Sequence, residues 1–191
     1  MDPMGPGDLR FTYCACAVSS MLGDWSGVNR STTVGYILNC FGFDGGCGLV
    51  PGGESHGGST YCAVASLALM GELPNISEER REGLDEGFQG RPNKDSDTCH
   101  SFWVGATLSI LGELSLVDIP RVRSFHLACQ DTILGGFSKM PHSLPDLIHS
   151  FYSLCWLGIA EESGLEPVDC VHGVSQRTAA ALGVTFGVSD P

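Results

Sequence analysis

Positive charge is scarce in this sequence. Only 10 of 191 residues are Lys or Arg, against 22 Asp or Glu, for a formal net charge of −12. A surface that grips nucleic acid or anionic lipid needs basic patches, so this balance argues against both as partners. It also makes any local group of cations conspicuous. Long apolar runs are missing too: none reaches the ~18 residues that a membrane span requires. No apolar segment follows the opening "MDPMGPGDLR", so no secretory signal is expected, and the nine Cys are an odd number. The expectation is an intracellular, cytoplasmic chain whose thiols are reduced and act mostly as small buried hydrophobes. On that reading the sequons Asn29-Arg30-Ser31 and Asn75-Ile76-Ser77 carry no meaning.

What is present is a repeat. Four apolar segments share one pattern: "YCACAVSSMLGDW" (13–25), "YCAVASLALMGEL" (61–73), "SFWVGATLSILGEL" (101–114) and "SFYSLCWLGIAEE" (150–162). Each reaches a glycine near its end, at Gly23, Gly71, Gly112 and Gly158, at intervals of 48, 41 and 46 residues. A period in the forties fits stacked helix pairs. A four-stranded propeller blade has a similar period, but these runs exceed ten residues and do not alternate, so helices are expected. With almost no polar face they belong inside. Between them lie amphipathic segments, 30–41 and 118–130, with Val34, Ile37, Leu38 and Phe41, and then Val122, Phe125 and Cys129, at helical spacing. The fold class expected is all-α, with inner apolar helices alternating with outer amphipathic ones in a single domain over 1–191. The tail 163–191 is expected to be less regular. The segment 74–84 has only Ile76 and Leu84 as anchors and sits in the shortest interval, so that outer helix is expected to be cut short. Gly-rich blocks precede three inner runs, and none ends in the Gly-Lys-Ser/Thr of a phosphate-binding P-loop.

The chemistry concentrates in "GRPNKDSDTCHSFW" (90–103). Asp97 reads as a helix N-cap, or together with Cys99 as part of a metal site. His149, at the start of the fourth inner run, supplies a third ligand on the metal reading and is a hydrogen-bonded core histidine on the other. Asp, Cys and His with one open position is the arrangement of a catalytic rather than a structural zinc. Arg91 and Lys94 are two permanent cations just ahead, and His56 holds the repeat position equivalent to Asp97. They suit a diphosphate, or they are solvated loop charges. Trp103, Phe151, Tyr152 and Trp156 are core, or an aromatic wall along a lipid tunnel.

The blocks "ESHGGSTYCAVASL", "GRPNK" followed by "DTC" and "SFWVGATL", and "GGFSKMPHSLPDLIHSFYSL" resemble the β subunits of protein prenyltransferases, and among them the type I geranylgeranyl enzymes. The farnesyl and Rab enzymes carry related blocks, and a farnesyl-type β subunit is the alternative; another is a non-catalytic module that holds an α subunit or a lipid. The resemblance implies a partial α/α toroid of helix pairs and a heterodimer with a helical-repeat α subunit. It also implies transfer of a twenty-carbon isoprenoid from geranylgeranyl diphosphate to the Cys of a C-terminal Cys-aliphatic-aliphatic-Leu motif, as on small GTPases. It matches Asp97, Cys99 and His149 to the zinc ligands and His56, Arg91 and Lys94 to the diphosphate contacts. Arg10 falls near the peptide terminus, and Trp103 and Tyr152 fall on the lipid wall. The chain departs from the pattern at His100, where the family has a Tyr that donates to the diphosphate, and at Tyr152, often Phe. It also starts within the pattern, so four inner helices are not expected to close the ring.

Overall fold

The computed structural model describes residues 7–73 and 94–184. Among them run seven α-helices: α1 (Leu9–Leu22), α2 (Arg30–Asn39), α3 (Gly57–Met70), α4 (Thr98–Leu111), α5 (Ile119–Ala128), α6 (Leu147–Ile159) and α7 (Gln176–Leu182). Two short antiparallel ladders stand in the loops. β1 (Phe137–Ser138) pairs with β2 (Pro145–Asp146), and β3 (Val168–Asp169) pairs with β4 (Val174–Ser175). The truncated outer helix expected at 74–84 lies outside the described residues.

The alternation of inner and outer helices holds. Helices α1, α3, α4 and α6 pack in that order, each against the next, while α2 lies on α3 and α5 on α4. Burial separates the two kinds. In α3, 11 of 14 residues are buried, whereas α2 buries only Ile37 and α5 only Val122 and His126. Phe41 falls beyond the end of α2, bridged to Cys47. His126 is a deeply buried member of α5 that the apolar spacing did not single out.

Each inner helix begins three to four residues before its apolar run. The first turn leaves backbone N–H groups without intrahelical partners, so it carries a polar cap rather than an apolar signal. Asp8, His56, Asp97 and Asp146 are the four caps, accepting from the N–H of Arg10, Gly58, Cys99 and His149. At the other ends Gly23, Gly71 and Gly112 turn the chain with φ of 65°, 73° and 81°, where a side chain would be strained. Gly158 departs from that pattern. It lies inside α6, where a Cβ would come within 2.8 Å of the Glu166 carbonyl oxygen, and α6 stops at Ala160.

The core is aromatic at its centre. Tyr61, Phe102 and Trp156 are essentially inaccessible, and Trp156 presses so closely on α4 that a Cβ at Gly105 would lie 2.2 Å from its ring. Trp156 therefore belongs to the core beside His126, not to a lipid-facing wall. All nine Cys are free and six are buried, as expected of small hydrophobes. The region after α6 is tied back to the start of the fold. His172 Nδ1 pairs with Asp169 Oδ1 at 3.0 Å and its Nε2 with Ser20 Oγ at 3.0 Å. Ser20 sits in the last turn of α1, where the carbonyl end of the helix dipole disfavours an oxyanion, so the chain of bonds is a clamp rather than a nucleophile. The end helices keep apolar faces open: Phe11, Val18 and Leu22 on α1, and Leu147, Ile148, Phe151 and Leu154 on α6.

A candidate metal centre at the helix N-termini

The alternating packing brings the N-terminal ends of α3, α4 and α6 together, and their caps become the site. Asp97 is the N-cap of α4, and its place also puts it in a group that could hold a metal ion. Its Oδ1 accepts from the Cys99 N–H at 2.9 Å as the N-cap of α4, and the same oxygen lies 3.5 Å from His149 Nε2 on α6. Capping uses one lone pair of a carboxylate and leaves others for a ligand. One ligand atom each from Asp97, Cys99 and His149 lie within 4.8 Å of one another, so these side chains form a group that could hold a metal ion.

The donor set fits zinc in three respects. It offers one carboxylate oxygen, one thiol sulfur and one imidazole nitrogen, all familiar zinc ligands. Asp146, the cap of α6, takes His149 Nδ1 at 2.6 Å, which directs the free Nε2 lone pair at Asp97. A carboxylate on the far nitrogen is the usual support of a metal-ligating histidine. Finally, Asp97 is buried with only 5% of its surface exposed. Burial works to raise its pKa, but the nearby His100 imidazole and the hydrogen bonding of Cys99 outweigh that and hold the carboxyl well below its usual range. The Cys99 thiol moves the other way: burial, and then the Asp97 carboxylate, push it up to about 12. Without a cation, one anion is all this pocket tolerates.

Two residues at this site were not singled out from the sequence. Asp146 is the first, and the signal was its place three residues before His149, just ahead of an apolar run. Lys139 is the second; its Nζ lies 3.4 Å from Asp97 Oδ2. The loop that carries it is stitched to α4, since Thr98 N–H donates to the Lys139 carbonyl at 3.1 Å and Thr98 Oγ1 to the Ser138 carbonyl at 2.9 Å. Phe137 N–H in turn donates to Ser150 Oγ of α6 at 2.8 Å. No helical or strand periodicity marks such a lysine.

The other expected site residues divide by location. His56 is brought in, with its Nε2 at 3.4 Å from His100 Nε2. Lys94 is exposed in the segment leading into α4, and Arg91 lies outside the described residues. Arg10 is exposed at the start of α1, paired with the Asp8 cap at 2.7 Å. Trp103 and Tyr152 face each other across α4 and α6, ring centroids 4.4 Å apart and half-buried, with Tyr61 and Phe102 behind them. Phe151 is largely exposed beside Tyr152.

Known proteins carry the same frame. The model of the prenyltransferase alpha-alpha toroid domain matches residues 1–174. A geranylgeranyl transferase type-1 subunit beta from Arabidopsis thaliana is 48% identical, over 86% of this chain and 48% of the relative. This chain belongs to the prenyltransferase β-subunit family. A second geranylgeranyl transferase type-1 subunit beta, from Dictyostelium discoideum, is 38% identical over 92% of the chain and 52% of the relative. Among solved structures, Candida albicans protein geranylgeranyltransferase-I complexed with GGPP superposes with a TM-score of 0.85 at 25% identity, over 95% of this chain and 58% of that one. The chain thus falls with the type I geranylgeranyl β subunits, and it spans about half the length of the curated relatives it matches. Among the described residues no helix is long and apolar enough to cross a membrane.

Proposed function

We propose that this chain provides the metal-bearing half of a geranylgeranyltransferase type I β subunit. In a heterodimer with an α subunit it would act on geranylgeranyl diphosphate and proteins ending in a Cys-aliphatic-aliphatic-Leu motif. The observation that carries this reading is the Asp97, Cys99 and His149 group, set on the neighbouring N-termini of α4 and α6. A zinc ion held there supplies a Lewis-acidic position at which a substrate thiol gives up its proton. The residues of the chain do the rest. Asp146 keeps His149 Nε2 directed at the ligand group. By the family match His56, Arg91 and Lys94 would contact the diphosphate, and Lys139, whose Nζ lies 3.4 Å from Asp97 Oδ2, would add a further cation beside the site. As the thiol sulfur bonds to the first carbon of the isoprenoid and the carbon–oxygen bond breaks, the electron pair leaves with the diphosphate, where these donors stabilise it. Trp103 and Tyr152 give the isoprenoid an aromatic wall, and Arg10 stands for the peptide terminus. The apolar residues left exposed on α1 and α6 are the reason to expect little turnover from this chain alone.

The test is direct. The purified chain is analysed for zinc and then assayed with α subunit, zinc, geranylgeranyl diphosphate and a Leu-ending peptide. One zinc per chain, lost on Cys99→Ala, is the expected result. Zinc absent from both proteins would refute the site. α-Subunit binding without zinc would favour the non-catalytic binding module, and preference for farnesyl diphosphate would favour the farnesyl-type alternative.

A further inference from the structure

His100 stands between the two halves of the site, and the direction of its hydrogen bonds can be read. The Gly58 N–H donates to His56 Nδ1 at 3.0 Å, so that nitrogen carries no proton. His56 is therefore the tautomer protonated on Nε2. That N–H lies 3.4 Å from His100 Nε2, which must then be the acceptor. The single proton of a neutral His100 is left on Nδ1. There it faces two members of the metal group, Cys99 Sγ at 3.7 Å and Asp97 Oδ2 at 3.7 Å. The first is an ordinary length for an N–H donor to sulfur, and the second is an electrostatic contact with a buried carboxylate. Asp97 Oδ2 is shared with Lys139, while Oδ1 faces His149.

We propose that His100 is a positioning residue for the metal ligands, polarised by the Gly58–His56–His100 chain of hydrogen bonds, and not a donor to the diphosphate. Its Nδ1–H braces the Cys99 sulfur and the outer oxygen of Asp97, and its bare Nε2 holds the His56 N–H in place until an anion competes for it. The inference rests on the proposed metal site and deepens it, because it assigns the residue next to Cys99 to the metal half rather than the diphosphate half.

Two measurements test it on the chain in complex with its α subunit. The first needs no metal: nitrogen NMR of the ring-labelled histidines near pH 8 is expected to find the His100 proton on Nδ1 and the His56 proton on Nε2. A His100 proton on Nε2 overturns the proposal. The second compares zinc affinity, by chelator competition, with affinity for geranylgeranyl diphosphate. Asn places an amide N–H where Nδ1–H sits, and Gln places one nearer Nε2. His100→Phe and His100→Gln are expected to weaken zinc by about tenfold, the low end for losing a group that supports metal ligands. His100→Asn is expected to keep zinc within about threefold, and all three variants to keep the diphosphate within about twofold. Unchanged zinc affinity with a tenfold loss of diphosphate affinity in His100→Phe would make His100 the diphosphate donor after all. A wild-type complex that binds no zinc, with the NMR pattern as expected, would sink the metal reading while leaving the hydrogen-bond chain standing.

Discussion

Two histidines in this molecule, one half-buried and one fully buried, have opposite surroundings. His149 meets a carboxylate on each side, Asp146 on Nδ1 and Asp97 near Nε2. His126 is fully buried between Phe125, Phe137 and Trp156, and neither ring nitrogen has a hydrogen-bond partner among the described residues. The first neighbourhood is built from helix caps and gathers charge. The second is built where α5 lies on α4 with the Trp156 ring of α6 beside it, and it excludes charge, so burial pushes His126 down to about 4. Full burial among rings leaves His126 without a polar partner among the described residues, whereas carboxylates at helix termini put His149 in a group that could hold a metal ion.

The largest effect expected comes from removing a carboxylate of the first neighbourhood. Asp97→Ala should abolish stoichiometric zinc and turnover together, and should also cost about 1 kcal/mol of stability through the lost cap. Metal analysis and urea unfolding on one preparation check both. Asp146→Ala leaves all three ligand atoms in place but frees the His149 ring, so zinc affinity should fall about 10- to 100-fold. Chelator competition reads this, and an unchanged affinity would mean that Asp146 only caps α6.

In the second neighbourhood Gly105→Ala drives a methyl group into the Trp156 ring. Overpacking of this kind costs about 1–3 kcal/mol. It should lower the unfolding midpoint while zinc affinity stays within about twofold, since no ligand sits on that turn. The smallest effect is the pH dependence that His126 confers. Its folded pKa lies below the unfolded value, so above pH 6.5 both states are neutral and it contributes nothing. As pH falls from 6.5 toward 4 the unfolded chain takes up a proton that the folded chain refuses, and stability is lost at up to ~1.4 kcal/mol per pH unit. Between about pH 7 and pH 5.5, His126→Leu should lose about 1 kcal/mol less than wild type in urea titrations. Equal losses would place the acid sensitivity elsewhere.

How much of this was legible beforehand differs by residue. The inner runs announced themselves because a helix buried on all sides must be apolar along its length. Asp97, Cys99 and His149 were found because residue type and repeat position converge on them. Asp97 was legible as a cap, but the apolar runs by themselves begin three to four residues after the helices do, since caps are polar and carry no periodic mark. Gly158 shares the repeat spacing of the other three glycines but not their positive φ, because sequence shows a glycine's presence and not its backbone conformation. Lys139 and Asp146 sit in loops, where spacing says little about what a side chain will meet.

The order of the inner and outer helices from α1 to α6 and the residue types at each N-terminus were therefore determined by the sequence itself, because hydrophobic burial and capping are local demands, whereas α7 (Gln176–Leu182) was not foreseen. Only the tertiary structure decided that the N-termini of α3, α4 and α6 meet, that Asp97 both caps α4 and faces His149, and that His56 and His100 are neighbours. Those depend on distances of 3–4 Å between residues 44 to 52 positions apart, set by how whole helices lean together.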